Sequence, residues 1–93
     1  MLFLVVSTPH PTRPSEVKQH RKQYWEWAQN QLDIGNAQSM YARVGRGGVA
    51  TFDVDSNEML HGLLNEWAEI MPAEFDVYPI LDPDAIKSYL SSD

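Results

Sequence analysis

The chain has no cysteine. That excludes disulfides, thiolate nucleophiles and cysteine metal ligands. Positive charge is scarce: Lys and Arg number 7 against 13 Asp and Glu, for a net charge of −6. Such a balance disfavours nucleic acid and anionic membrane as partners. Long apolar runs are missing too. Met1 to Val6 is apolar but short, with no basic segment before it and no small-residue cleavage site after it. The sequence therefore predicts neither a signal peptide nor a membrane span, and a cytoplasmic protein. His10, His20 and His61 are scattered, with no His-x-x-x-His pair on one helix. No metal site and no cofactor are expected from them. Gly45-Arg46-Gly47-Gly48 lacks both the lysine and the following helix of a phosphate loop.

What is present is enough for one folded domain over residues 1–93. Hydrophobic residues make up 43% of the chain, above the range of disordered segments. A chain this short buries a modest core and gains from a partner subunit. Leu2 to Ser7 is β-branched and apolar on both faces, Leu2, Leu4 and Val6 on one and Phe3 and Val5 on the other. A strand apolar on both sides is covered on both sides. The chain's own helices supply one cover, and a second subunit would supply the other.

Thr8 to Pro14 carries three prolines and reads as a loop. Ser15 suits a helix cap, and the helix runs to about Asp33, with Gly35 as its stop. Val17, Arg21, Tyr24, Ala28 and Gln31 or Leu32 share its inner face, flanked by Trp25 and Trp27. Ala37 to Val44 and Val49 to Val54 form a hairpin through Gly45–Gly48. An even loop pairs Val44 with Val49, Arg43 with Ala50 and Tyr41 with Phe52, the last a favourable cross-strand pair. Asp55 with Glu58 resembles a capping box for a second helix. Leu60, Leu63, Leu64, Trp67 and Met71 make its buried stripe, with His61 at the edge. Phe75 to Leu81 is a fourth strand, and Pro83 to Leu90 a short terminal helix. The order β-α-β-β-α-β predicts an α+β, ferredoxin-like sandwich on a four-stranded antiparallel sheet.

Several of these residues carry a family resemblance. Met1-Leu2-Phe3 with Val5, Glu26, Ala28, Gln29 and Gly35 match in the first half, and Gly45 and Phe52-Asp53-Val54 in the second. The densest piece is Ser56-x-Glu58-x-Leu60-His61-x-x-Leu64. In these the chain resembles muconolactone isomerase and its relatives. The resemblance implies a dimeric α+β barrel, with two four-stranded sheets face to face, and higher assembly of such dimers. It implies a cofactor-free isomerase that moves a proton to shift a double bond in an unsaturated lactone. The chain departs from the family in a shorter run into the first helix and in acidic Asp82-Pro83-Asp84 after the last strand.

A proton-shifting isomerase needs a base near a carbon acid, a donor near the developing enolate, and often a cation for a substrate carboxylate. His61 titrates near neutral pH and is the candidate proton carrier. Tyr41 is the candidate donor, with Tyr78 as an alternative. Arg43, placed on a strand face opposite small Ala50, is the candidate cation, and turn residue Arg46 is a second. Arg21 and His20 either line a pocket or reach water past the sheet's end. Tyr24, Trp25, Trp67 and Phe52 are candidate pocket walls. On this reading Arg43 and His61 meet in one groove between sheet and helix.

Three functions remain open on these residues. The first is a proton-transfer isomerase acting on a small, cyclic, enolisable molecule. The second is another small-molecule enzyme on the same barrel, of the cofactor-free monooxygenase or polyketide cyclase type. The third is a non-catalytic small-molecule binder. A homodimer or higher homo-oligomer is expected in each.

Overall fold

The computed structural model describes residues 1–91 of the chain. The elements follow one another as β1 (Leu2–Pro9), α1 (Lys18–Ile34), β2 (Ala37–Ala42), β3 (Gly48–Asp53), α2 (Asn57–Ile70), β4 (Ala73–Ile80) and α3 (Pro83–Ser91). A 3₁₀ turn over Pro14–Val17 leads into α1. The strands form one antiparallel sheet in the order β2-β3-β1-β4. The fold is the ferredoxin-like α+β sandwich that the element order implies.

One sheet face carries the core. Phe3, Val5 and Ser7 of β1 alternate inward, beside Gly48, Ala50 and Phe52 of β3. Tyr24 and Ala28 of α1 and Leu60, Leu63 and Trp67 of α2 join Phe3, Val5, Ala50 and Phe52 in one buried cluster. Alternation at period 2 meets helical stripes at period 3.6, and each buries apolar area worth about 25 cal/mol per Å². The opposite face presents Leu2, Leu4, Val6 and Val49, all half-buried, with Tyr41 68% and Tyr78 51% exposed. None of α3 is buried.

Local chemistry explains where elements start and stop. Gly35 takes the left-handed conformation at φ 87° and its N–H returns to the Leu32 carbonyl, the stop expected from the sequence. Ser15 does not cap α1. Pro14, with its φ preset for a helical turn, starts the 3₁₀ turn instead, and no side chain caps either helix start. Ser56, not Asp55, caps α2: its Oγ accepts the Met59 N–H at 3.1 Å. β1 runs on to Pro9 and β4 starts at Ala73, because Thr8 and Pro9 still pair with Glu74 and Ala73.

The hairpin register differs from the expected one. Tyr41 pairs with Val49, Met40 with Ala50 and Ala42 with Gly48, and a bulge between Ala37 and Ser39 brings Ala37 to Phe52. β2 therefore ends at Ala42, and residues 43–47 make a wide turn closed by the Arg43 N–H on the Gly47 carbonyl at 2.9 Å. Gly45 and Gly47 both have positive φ, 96° and 102°, which lets the turn take in Arg43 and Val44. An odd shift in register moves side chains to the other face. Tyr41 thus leaves the face of Phe52, and Arg43 leaves the strand altogether.

Candidate functional site

The cavity sits where four strand ends meet the helices. The end of β1 brings Ser7 and Pro9, the end of β2 Ala42, the start of β3 Gly48 and the start of β4 Ala73. Arg21, Tyr24 and Trp25 of α1 and Trp67 and Met71 at the end of α2 wall it on the helix side. The 43–47 turn lies across it with Arg43, Gly45, Arg46 and Gly47. Its volume is about 80 Å³. Pockets for drug-sized molecules run to roughly 300–1,000 Å³, so this one takes a single small group or ring.

The hairpin holds this end of the sandwich open. Ser7, 2% exposed, accepts the Gly48 N–H on its hydroxyl at 2.8 Å, tying β1 to β3 at the cavity floor. A Cβ at Gly48 would lie 3.1 Å from both the Trp67 ring and the Tyr24 hydroxyl. A Cβ at Gly47 would lie 2.5 Å from the Ser7 carbonyl oxygen. The backbone thus requires glycine at 47, while at 48 a Cβ would press on the Trp67 and Tyr24 side chains, and the missing side chains leave the space.

Tyr24 is the most perturbed group here. It is 6% exposed, with its ring centroid 5.0 Å from a tilted Trp67 and 5.0 Å from an edge-on Trp25. Its hydroxyl has no hydrogen-bond partner among the described residues. A buried tyrosine hydroxyl ordinarily finds one. Desolvation pushes its phenol well above the ordinary tyrosine value, so it stays a neutral donor.

The charged groups in the wall are all arginines. Arg43 donates Nη1 to the Ser7 carbonyl at 2.9 Å and to Thr8 Oγ1 at 3.3 Å. Arg46 donates Nη1 to the Thr12 carbonyl at 2.6 Å and to Thr12 Oγ1 at 3.2 Å. Its Nη2 is buried with no partner. Arg21 stands at the rim, exposed but on the face of α1 that carries Tyr24 and Ala28. The ion pairs among the described residues are Met1–Asp53 and Arg13–Glu16, neither of which involves these three arginines. Among the described residues no group of three His, Asp or Glu side chains is placed to hold a metal.

The family profile described as "Domain of unknown function (DUF3303)" matches residues 1–92, nearly all of the chain. The chain belongs to the DUF3303 family. A comparison with curated proteins finds no match. Within this DUF3303 chain, no helix of the described residues is long and apolar enough to cross a membrane.

The DUF3303 cavity gathers six of the residues singled out in the sequence: Arg21, Tyr24, Trp25, Arg43, Arg46 and Trp67. The others lie elsewhere. His61 is exposed in the first half of α2, about 9 Å along the helix from Trp67 at 1.5 Å per residue, and does not line the cavity. Arg43 and His61 therefore do not share a groove. Tyr41 projects from the uncovered sheet face. His20 is exposed on the first turn of α1. Phe52 is fully buried behind Trp67, at 6.4 Å between ring centroids, and packs the core without reaching the cavity. Ser7, Gly48 and Met71 also line the cavity and are not candidates from the sequence. The glycine pair after Arg46 was the available signal, since consecutive glycines in a short turn mark close approach.

Proposed function

We propose that this DUF3303 chain binds a small organic molecule in the cavity at the end of the sandwich. The observation that carries the reading is Tyr24: a phenol 6% exposed, unpartnered, and set in a wall with Trp25 and Trp67. Buried polar groups without partners are rare, and a ligand oxygen satisfies this one. Apolar walls with few polar groups are the usual make-up of such sites.

Catalysis is the second reading: a cofactor-independent proton shift on a small cyclic, enolisable molecule, as in muconolactone isomerase. Tyr24 supports it, because a neutral phenol held in low dielectric donates to a developing enolate oxygen. The lining residues include no Asp, Glu or His to take the proton from carbon. That balance favours binding over turnover for the chain by itself. It also leaves oxygenase or cyclase chemistry on the same scaffold behind the binding reading.

A homodimer belongs to the same proposal, with the two sheets facing each other as an α+β barrel. Leu2, Leu4, Val6 and Val49 support it, since they form an apolar patch with no cover from the chain's own helices. We place the protein in the cytoplasm, which its acidic, cysteine-free composition suits.

Ligand-observed NMR against small cyclic acids, lactones and alcohols tests the binding reading. Bound compounds are expected on the parent protein and absent from Gly48→Leu, whose side chain fills the space beside Trp67 and Tyr24. No bound compound, or equal binding to both proteins, contradicts it.

A further inference from the structure

The charge of the cavity opposes the charge of the chain. The protein carries −6 overall, yet Arg21, Arg43 and Arg46 border one cavity whose lining contains no Asp or Glu. None of the three forms an ion pair among the described residues. Guanidinium groups grouped this way repel one another, and a carboxylate ordinarily stands between them.

The unused donors border the same cavity. Arg46 spends Nη1 on Thr12, and its Nη2 is buried without a partner. Tyr24 Oη is buried without a partner, beside Gly48. Both orphaned side-chain donors of the described residues therefore face the demand for an acceptor at one cavity. Water satisfies a donor, but it leaves the clustered positive charge unbalanced.

We infer that the cavity is a receptor for a small carboxylate with a flat apolar body, held by Arg46 and Tyr24 with Arg43 and Arg21 supplying field. This rests on the small-molecule reading above and specifies its ligand. The planar guanidinium fork matches a carboxylate, and a charged acceptor takes roughly twice the benefit of a neutral one. The indoles of Trp25 and Trp67 and the thioether of Met71 suit the flat body. A volume of about 80 Å³ takes the head group and part of a ring, with the rest at the mouth. Inorganic phosphate shares the oxyanion chemistry but leaves the apolar wall unused.

Calorimetric titration with benzoate, benzyl alcohol and inorganic phosphate tests this. Benzoate is expected to bind at least tenfold more tightly than either, and to weaken as salt is added. Arg46→Met should weaken benzoate by roughly ten- to a hundredfold, the range for a hydrogen bond to a charged group, and leave benzyl alcohol unchanged. Tyr24→Phe should weaken benzoate several-fold. It removes only an unpartnered hydroxyl, so it keeps the fold and carries the test if Arg46→Met does not fold. Benzyl alcohol binding as tightly as benzoate overturns the carboxylate inference while the small-molecule reading stands. Phosphate binding as tightly as benzoate overturns the apolar body. Binding of none of the three overturns both this inference and the reading beneath it.

Discussion

The ring of Tyr24 lies 5.0 Å from that of Trp67, and the hydroxyl beyond it meets no donor or acceptor among the described residues. The pairing is apolar at its base and wants an oxygen at its tip. One residue each from α1 and α2 thereby closes the core and opens a site. The glycine opposite them decides which: any side chain at Gly48 would occupy the gap.

Gly48→Ala should therefore cost binding before it costs the fold. Its Cβ would press on the Trp67 ring and the Tyr24 hydroxyl at 3.1 Å. Overpacking of this kind costs roughly 1–3 kcal/mol of stability. Benzoate affinity should fall at least tenfold, read by titration beside a thermal melt. Unchanged affinity would place the ligand away from β3.

Tyr24 should also mark the alkaline limb of stability. Its folded value is raised above the ordinary 10.0, so above that pH the unfolded chain loses this proton first. The unfolded state then binds fewer protons than the native one, and stability falls as pH rises. The contribution is intact below about pH 10 and declines above it. Urea melts between pH 8 and 11 should show a steeper decline for the parent than for Tyr24→Phe. Parallel declines would remove Tyr24 as the cause.

Trp67 is 2% exposed and touches the rings of Tyr24, Trp27, Phe52 and Phe75. Trp67→Ala should cost about 3–5 kcal/mol, the range for deleting a large buried aromatic. Chemical denaturation measures it. A loss under 1 kcal/mol would mean the cluster packs without this ring.

Catalysis has its own readout. With no Asp, Glu or His lining the cavity, deuterium uptake from heavy water into a small enolisable acid should match the uncatalysed rate for His61→Gln and parent alike. A fast parent and a slow variant would restore His61 to the site and support the proton-transfer reading.

The uncovered face of β1 predicts association. Leu4→Arg on that face should yield a monomer by light scattering where the parent gives a dimer. A monomeric parent at micromolar concentration would remove the barrel.

Much of the architecture was legible because its signals are local. The stripe Leu60-Leu63-Trp67 repeats at the helical period, β1 alternates at the strand period, and Gly35 stops α1 by its own backbone freedom. The hairpin register was not legible, because it depended on two positive-φ glycines that widen the turn by residues an even loop does not anticipate. The site inherited both outcomes. Tyr24, Trp25 and Trp67 sit where helical spacing put them. Tyr41 and Arg43 moved with the register. His61 was placed by rotation about the helix axis, and rotation says nothing of height along it. The cavity lies at the other end of α2, beside Met71.

The most direct test is a crystal structure of the protein with benzoate bound. The account predicts the carboxylate within hydrogen-bond distance of Tyr24 Oη and Arg46 Nη2, with the ring against Trp67. Benzoate found instead in the shallow groove of Lys18, Lys22 and Glu26 on the outside of α1, with the cavity closed, would contradict it.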